Sequence, residues 1–316
     1  MKNPQKRNTS LEFASLEMGL LFIPPLVGVA LLAARIDEAV CKLYGTQETK
    51  RIRQALHDMD QNKQTEIVLD PTNELMTQRA NSYVHGLTAT PFHPAKNYKW
   101  IKKIESKWQT VRKELLAALE NPEELYARGT NVWAATAPGE YGPSWRTLPL
   151  CDRTVWDPVN SAIFPKTCEL LHSAKVPLIE AFFASMGPQS DIKPHSDMCN
   201  FALTCHLGLD VPEGECAITV GDTRRDWKNG EAIMFDTSIL HEAENLSRRT
   251  RYILMMRVYH PELTAVERRS LQLIFDCLDE PEILDDASSL QEYEKRRRDI
   301  EAASRAPWEQ SAGRRP

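Results

Sequence analysis

The sequence predicts a mainly β protein with flanking helices (α+β), centred on an antiparallel sandwich or jelly-roll barrel. Three observations lead there. Between residues 130 and 260, short apolar runs alternate with clusters of Gly, Pro, Asn, Asp and Ser. An amphipathic helical pattern precedes that region, and a charged helical pattern follows it. Neither a GxGxxG turn nor a GxxxxGK[ST] loop occurs, so nucleotide-binding α/β folds are set aside.

Taken in order, the first element is an N-terminal tail, residues 1–35. Within it, residues 18–34 (MGLLFIPPLVGVALLAA) carry no charge and lie between Glu17 and Arg35. That length is at the short end of a bilayer span, and Pro24-Pro25 would interrupt a regular helix. A signal peptide fits less well, because the preceding polar stretch is long and contains Glu12 and Glu17. The expectation is a membrane anchor at 18–34 and a membrane-associated chain. Its orientation is unreadable, since basic residues flank both sides. The alternative is a buried or interfacial hairpin in a cytoplasmic protein.

Residues 36–95 read as a partly helical connector. Residues 101–119 show one amphipathic helix, with Ile101, Ile104, Trp108, Val111, Leu115 and Leu119 on a common face. Candidate strands are VWAATA, LIEAFFASM, NFALTCHLGLDV, CAITVG, EAIMFD and RYILMMRVY; MGPQSD, VPEGE, GDTRRDWKNG and ENLSRRT read as the breaks between them. Residues 266–316 read as a charged helical tail, partly disordered, ending in SAGRRP.

Composition narrows the function. The 316-residue chain has a formal net charge of -5 and no basic footprint for nucleic acid. Its seven cysteines are irregularly spaced without a CxxC pair, which predicts free thiols rather than a zinc ribbon or disulfide scaffold.

One constellation points to chemistry. PHSD places His195 and Asp197 two residues apart at the start of an expected strand, where both would project from one face. His241, in MFDTSILHEAEN, can supply a third ligand from a neighbouring strand. Two histidines and one carboxylate with open positions opposite suit non-haem Fe(II). Arg251 follows ten residues later, and a guanidinium there can grip a carboxylate bidentately. The same three ligands could instead hold zinc in a hydrolase, with Glu242 the adjacent candidate base. A non-catalytic, membrane-tethered binding module is the third reading.

The stretch from PHSD through HLGL, WKNGEAIMFD and HEAEN to HPEL, with FPKTCELL and AFFASMGPQSDIKPH upstream, resembles the aspartyl/asparaginyl β-hydroxylase family. The likeness covers roughly residues 98–263 and is strongest from 164 onward. It implies a double-stranded β-helix (jelly-roll/cupin-like) core in a domain spanning residues 96–265. It also implies Fe(II), with 2-oxoglutarate and O2 as co-substrates, and release of succinate and CO2. The reaction implied is hydroxylation of an unactivated C–H in an aspartyl/asparaginyl residue, an acyl lipid or a related small molecule. The partner is thus a small-molecule, lipid or peptide substrate.

Position by position, His195 and His241 match the family's iron ligands, and Arg251 matches the residue gripping the far carboxylate of 2-oxoglutarate. His206 of HLGL matches a second contact to that co-substrate, and Ser185 lies near a family serine that helps bind it. Trp227, Gly230, Phe235 and Asp236 match framework positions. Two departures bear on substrate. The animal peptide hydroxylases have glycine where this chain has Asp197, giving this chain the fuller triad. They also carry arginines for a substrate acid where this chain reads NFALTC, uncharged, at residues 200–205.

Overall fold

A computed structural model of the chain describes residues 27–135, 142 and 144–302. The N-terminal part holds α1 (Val27–Tyr44), α2 (Lys50–Asp60), the hairpin of β1 (Thr65–Val68) and β2 (Thr77–Ala80), and β3 (Phe92–His93). Then come α3 (Lys99–Glu105), α4 (Trp108–Glu120), α5 (Pro122–Arg128), β4 (Ala134–Ala135), β5 (Trp145–Asp152), β6 (Val155–Trp156), α6 (Asn160–Ile163) and α7 (Pro165–Ser173). The core strands follow: β7 (Leu178–Met186), β8 (Ser190–His195), β9 (Ala202–Asp210), β10 (Cys216–Val220), β11 (Thr223–Asp226), β12 (Ala232–Phe235), β13 (His241–Asn245) and β14 (Arg251–Tyr259). Helices α8 (Ala265–Asp279) and α9 (Ala287–Ala302) close the described chain.

The larger sheet runs β3-β12-β9-β14-β7-β5-β4 and the smaller β11-β10-β13-β8. Every pairing among the eight core strands is antiparallel, and the chain crosses from sheet to sheet at almost every connection. That order is the double-stranded β-helix of a jelly-roll or cupin. The two faces of the larger sheet have separate tasks, because side chains alternate along each strand. Ala181, Phe183, Leu203, Cys205, Leu254 and Met256 meet the helical layer of α3, α4 and α7. Phe182, Ala184, Met186, Phe235 and Ile253 face Ile192, Ile218, Val220 and Ala243 of the smaller sheet. The candidate site lies on this inner side.

Several boundaries differ from the sequence expectation. The single helix expected over 101–119 is two helices. Ser106 turns its hydroxyl back onto the Lys103 carbonyl, and Lys107 leaves the helical region (φ -121, ψ 12). GDTRRDWKNG contains a strand, β11, because its charged side chains stay outside while its backbone pairs with β10. SWRTLPL, not among the expected strands, forms β5; its register shifts at Pro149/Cys151, where proline has no N–H for the ladder.

Residues 36–95 pack as part of the body. Ile36 and Val40 of α1 and Ile52 and Leu56 of α2 are buried with Leu271, Ile274 and Phe275 of α8. Helix α8, expected within a charged tail, is thus a core helix, started by a capping box between Thr264 and Glu267. Leu290 and Tyr293 of α9 join the same cluster.

Of the 18–34 segment, residues 27–34 form the first turns of α1, which continues through Arg35, Asp37 and Glu38. Among the described residues, no helix is long and apolar enough to cross a membrane. Residues 18–26, with Pro24-Pro25, and the SAGRRP end lie outside the described residues.

Trp108 packs over Gly230, where φ is +82; an added Cβ would come within 2.7–2.9 Å of the indole ring. Gly230→Ala therefore combines left-handed backbone strain with a clash. Urea unfolding should show a loss of about 2–4 kcal/mol. Gly214→Ala shares the positive φ (+81) but meets nothing within 4 Å, so about 1 kcal/mol is expected.

Candidate metal centre

His195 closes β8. A regular strand would put His195 and Ile192, three residues apart, on opposite faces. Here the pairing slips by one residue: His241 lies opposite His195, while Ala243 lies opposite Ile192. This bulge falls at Lys193-Pro194, where proline has no N–H for the ladder, and it turns His195 inward beside Ile192.

Asp197 arrives differently from the expectation. Strand β8 ends at His195 and β9 begins only at Ala202, so Asp197 sits in a loop and the two-residue strand period does not aim it. The loop is pinned instead. The Asp197 N–H donates to the Thr237 carbonyl at 2.8 Å, and the Ser196 hydroxyl bonds the carbonyls of Arg79 (2.8 Å) and Ser238 (3.0 Å).

His241 opens β13 after the turn that begins at Asp236. The buried Asp236 carboxylate accepts from the Ser238 N–H and hydroxyl and from Gln78, and burial raises its pKa to about 6. One turn thus aims His241 and supplies the carbonyl that holds Asp197.

The three side chains converge. Asp197 Oδ1 lies 3.8 Å from Nε2 of His195 and 3.8 Å from Nε2 of His241, and the ring centroids are 4.2 Å apart. One ligand atom from each residue falls within 4.8 Å of the others, the only such group of three among the described residues. In both imidazoles Nδ1 bonds the carbonyl two residues back, Lys193 at 2.7 Å and Ile239 at 3.0 Å. That turns both Nε2 atoms toward Asp197, where a metal could be held. Burial, with His195 beside it, lowers the pKa of His241 to about 4, so its lone pair is available at neutral pH. Burial works to raise the Asp197 carboxyl, but Arg257, the two imidazoles and Thr237 outweigh it and hold the carboxyl below its ordinary range.

A cationic pocket adjoins the triad. Arg251 opens β14, is 0% exposed, and donates from Nη2 to the Met186 sulfur at 3.3 Å. Its guanidinium carbon stands 4.4 Å from the Trp227 ring centroid and 5.3 Å from that of Trp145. Its Nε and Nη1, both ring nitrogens of His206, Trp227 Nε1 and Thr147 Oγ1 are buried without hydrogen-bond partners among the described residues. Burial pulls the Arg251 pKa down to about 9 and, with Arg251 and His241, holds His206 well below its usual value. Native interiors rarely leave so many buried donors unmet.

Ser185 is not brought in. Its neighbour Met186 faces Arg251, so the pleat turns Ser185 to the other face of β7, where its hydroxyl donates to the Arg146 carbonyl at 3.4 Å. Ser185→Ala should leave 2-oxoglutarate affinity within about twofold by calorimetric titration, since its hydroxyl bonds the Arg146 carbonyl on the face of β7 away from Arg251 and shares no partner with it. Glu242, the base considered for a zinc hydrolase, alternates to the exposed face of β13, away from His241.

Sequence reading missed Trp145, Thr147, Met186, Glu180 and Arg257. The signal for the last was present. Arg257 lies six residues after Arg251, an even spacing on one strand, and is the charge inside an otherwise apolar run.

Residues 105–261 match the family profile described as Aspartyl/Asparaginyl beta-hydroxylase. The chain is 30% identical over 212 residues to the human protein named aspartyl/asparaginyl beta-hydroxylase, covering 62% of this chain and 26% of that one. It is 29% identical over 209 residues to human aspartate beta-hydroxylase domain-containing protein 2 (61% and 53% covered). It is 29% identical over 177 residues to ornithine lipid ester-linked acyl 2-hydroxylase of Rhizobium tropici (54% and 61% covered). The chain therefore spans between about a quarter and three-fifths of these relatives' lengths. Among solved structures it is similar to a Cupin 2 conserved barrel domain protein from Salinispora arenicola, at 12% identity and TM-score 0.27, covering 41% of this chain and 85% of that one.

Proposed function

Since the chain belongs to the aspartyl/asparaginyl beta-hydroxylase family through residues 105–261, we propose that it is an Fe(II)- and 2-oxoglutarate-dependent hydroxylase. The observation that supports this most is the buried Arg251, without a carboxylate partner among the described residues, on the same inner side as a His/Asp/His triad. A hydrolase needs no such cation, whereas a dicarboxylate co-substrate does.

The donor set fits both groups. Two imidazole nitrogens and one carboxylate oxygen on one side suit a divalent iron with open positions. The unpartnered donors of Arg251, His206, Trp227 and Thr147 suit an anion of two oxygens. Bound together with O2, iron and 2-oxoglutarate would supply oxidative decarboxylation to succinate and CO2, coupled to hydroxylation of a substrate C–H.

The chain's own residues do the rest. His195, Asp197 and His241 would hold the metal. Arg251, through Nε and Nη1, would grip the far carboxylate, with His206 bonding it from β9. Trp145, Trp227, Phe235 and Met186 keep water from that end, which strengthens every charged hydrogen bond there. None of them needs to exchange a proton with substrate.

For substrate, the 200–205 stretch supports an acyl chain over a peptide aspartate. Asn200 is committed to both backbone groups of Val84, and Phe201 packs on Phe275, so this stretch offers no cation to a substrate acid. An acyl lipid would be met at a membrane surface, the role proposed for residues 18–34. The test is turnover by the full chain with Fe(II), 2-oxoglutarate and either acyl lipids or aspartyl peptides. Succinate release matched by one added oxygen in the lipid supports the reading. Coupled turnover with the peptide alone would move the substrate class, and no coupled turnover with either would reject both.

A further inference from the structure

Asp197 is the member of the triad that no strand holds. A loop carboxylate buried in low dielectric tends to protonate or swing out unless its charge is met. Its two oxygens are treated differently. Oδ1 looks toward the two imidazoles, 3.8 Å from each Nε2, whereas Oδ2 lies 3.7 Å from Nη2 of Arg257. The same Nη2 donates to the Cys199 sulfur at 3.2 Å, two residues further along the loop. On its other side, Nη1 lies 3.8 Å from Oε2 of Glu180, the residue opposite Arg257 on β7. Both side chains are about 5% exposed.

We propose that Arg257, backed by Glu180, is the positioning residue that makes a metal ligand of Asp197. This deepens the metal-dependent reading above and rests on it. The guanidinium draws Oδ2 away from the imidazoles, so that Oδ1 is the oxygen presented between them. Through Cys199 it also fixes the loop at a second point. Glu180, whose carboxyl burial pushes up to about 7, flanks the guanidinium on the far side, completing the line Asp197, Arg257, Glu180. With a carboxyl group on each side, the guanidinium is held between them instead of closing on Asp197 and taking both of its oxygens.

A guanidinium that only stabilised the fold would act on metal binding without regard to Asp197. One that works through Asp197 would not matter once Asp197 is gone. The experiment is a Co(II) titration of the metal-free full chain, followed by calorimetry and visible absorbance, with near-UV circular dichroism as the check on folding. R257Q should bind Co(II) about 10–100-fold more weakly than wild type, the usual effect of losing an outer-shell partner. R257K should lose about tenfold, because an ammonium cannot span Asp197 and Glu180 together. R257Q/D197G should bind no more weakly than D197G alone.

Wild-type affinity in R257Q overturns the proposal, as does a further tenfold loss in the double variant beyond D197G. If R257Q is not folded, R257K decides: a tenfold loss supports, wild-type affinity overturns. A wild type that takes up no Co(II) rejects the metal reading itself. Uptake by the wild type with no effect at Arg257 rejects only this role.

Discussion

Arg251→Met will separate stability from co-substrate binding: affinity for 2-oxoglutarate falls at least about 100-fold, while the apoprotein becomes no less stable. The binding loss follows from two charge-assisted hydrogen bonds, each roughly 1.5–3 kcal/mol. The stability result is the less intuitive half. Arg251 is wholly buried, and no carboxylate among the described residues lies within ion-pair distance of it. The faces of Trp227 and Trp145 offset part of its desolvation, but Nε and Nη1 stay unmet. An apolar side chain of similar length removes that penalty, so a gain of roughly 1–2 kcal/mol is expected. Urea unfolding of the metal-free protein, beside calorimetric titration with 2-oxoglutarate, reads both quantities. A loss of stability above about 2 kcal/mol would make Arg251 a structural residue.

The second large effect is at His241. Metal at 100 times its dissociation constant should stabilise the wild type by about 2.7 kcal/mol. His241→Ala removes one of three protein ligands, and its cost should exceed the roughly 100-fold upper end for outer-shell partners. At the same metal concentration the stabilisation should then fall below about 0.4 kcal/mol. Thermal unfolding with and without Co(II) measures this. An unchanged shift in the variant would mean that the metal binds elsewhere.

The barrel was readable because its strands alternate cleanly and its turns are marked: LIEAFFASM, CAITVG, EAIMFD and RYILMMRVY all became strands within a residue or two. His195, Asp197, His241 and Arg251 were legible as residue types in order, and His206 only through the family resemblance; the fold brings them to one inner side. The way Asp197 reaches the site was not legible. A strand period was the available rule, but a bulge at Lys193-Pro194 and a pinned loop do the aiming, and both depend on pairing with β13 and with the Asp236 turn. Ser185 misled for a related reason: one residue of register separates the inner face from the outer, and only Met186 against Arg251 fixes which is which. Helix α8 was hidden by its charges, since ERR and DE flank an apolar face that shows its value only against α1 and α2.

The most direct test of the central claim is anaerobic absorption spectroscopy on the full chain, adding Fe(II) and then 2-oxoglutarate. A visible charge-transfer band that needs both additions is the predicted result. It should disappear in His241→Ala and require far more 2-oxoglutarate in Arg251→Met. Folded wild-type protein that gives no band, or a band indifferent to Arg251, would contradict the assignment of this site to Fe(II) and 2-oxoglutarate.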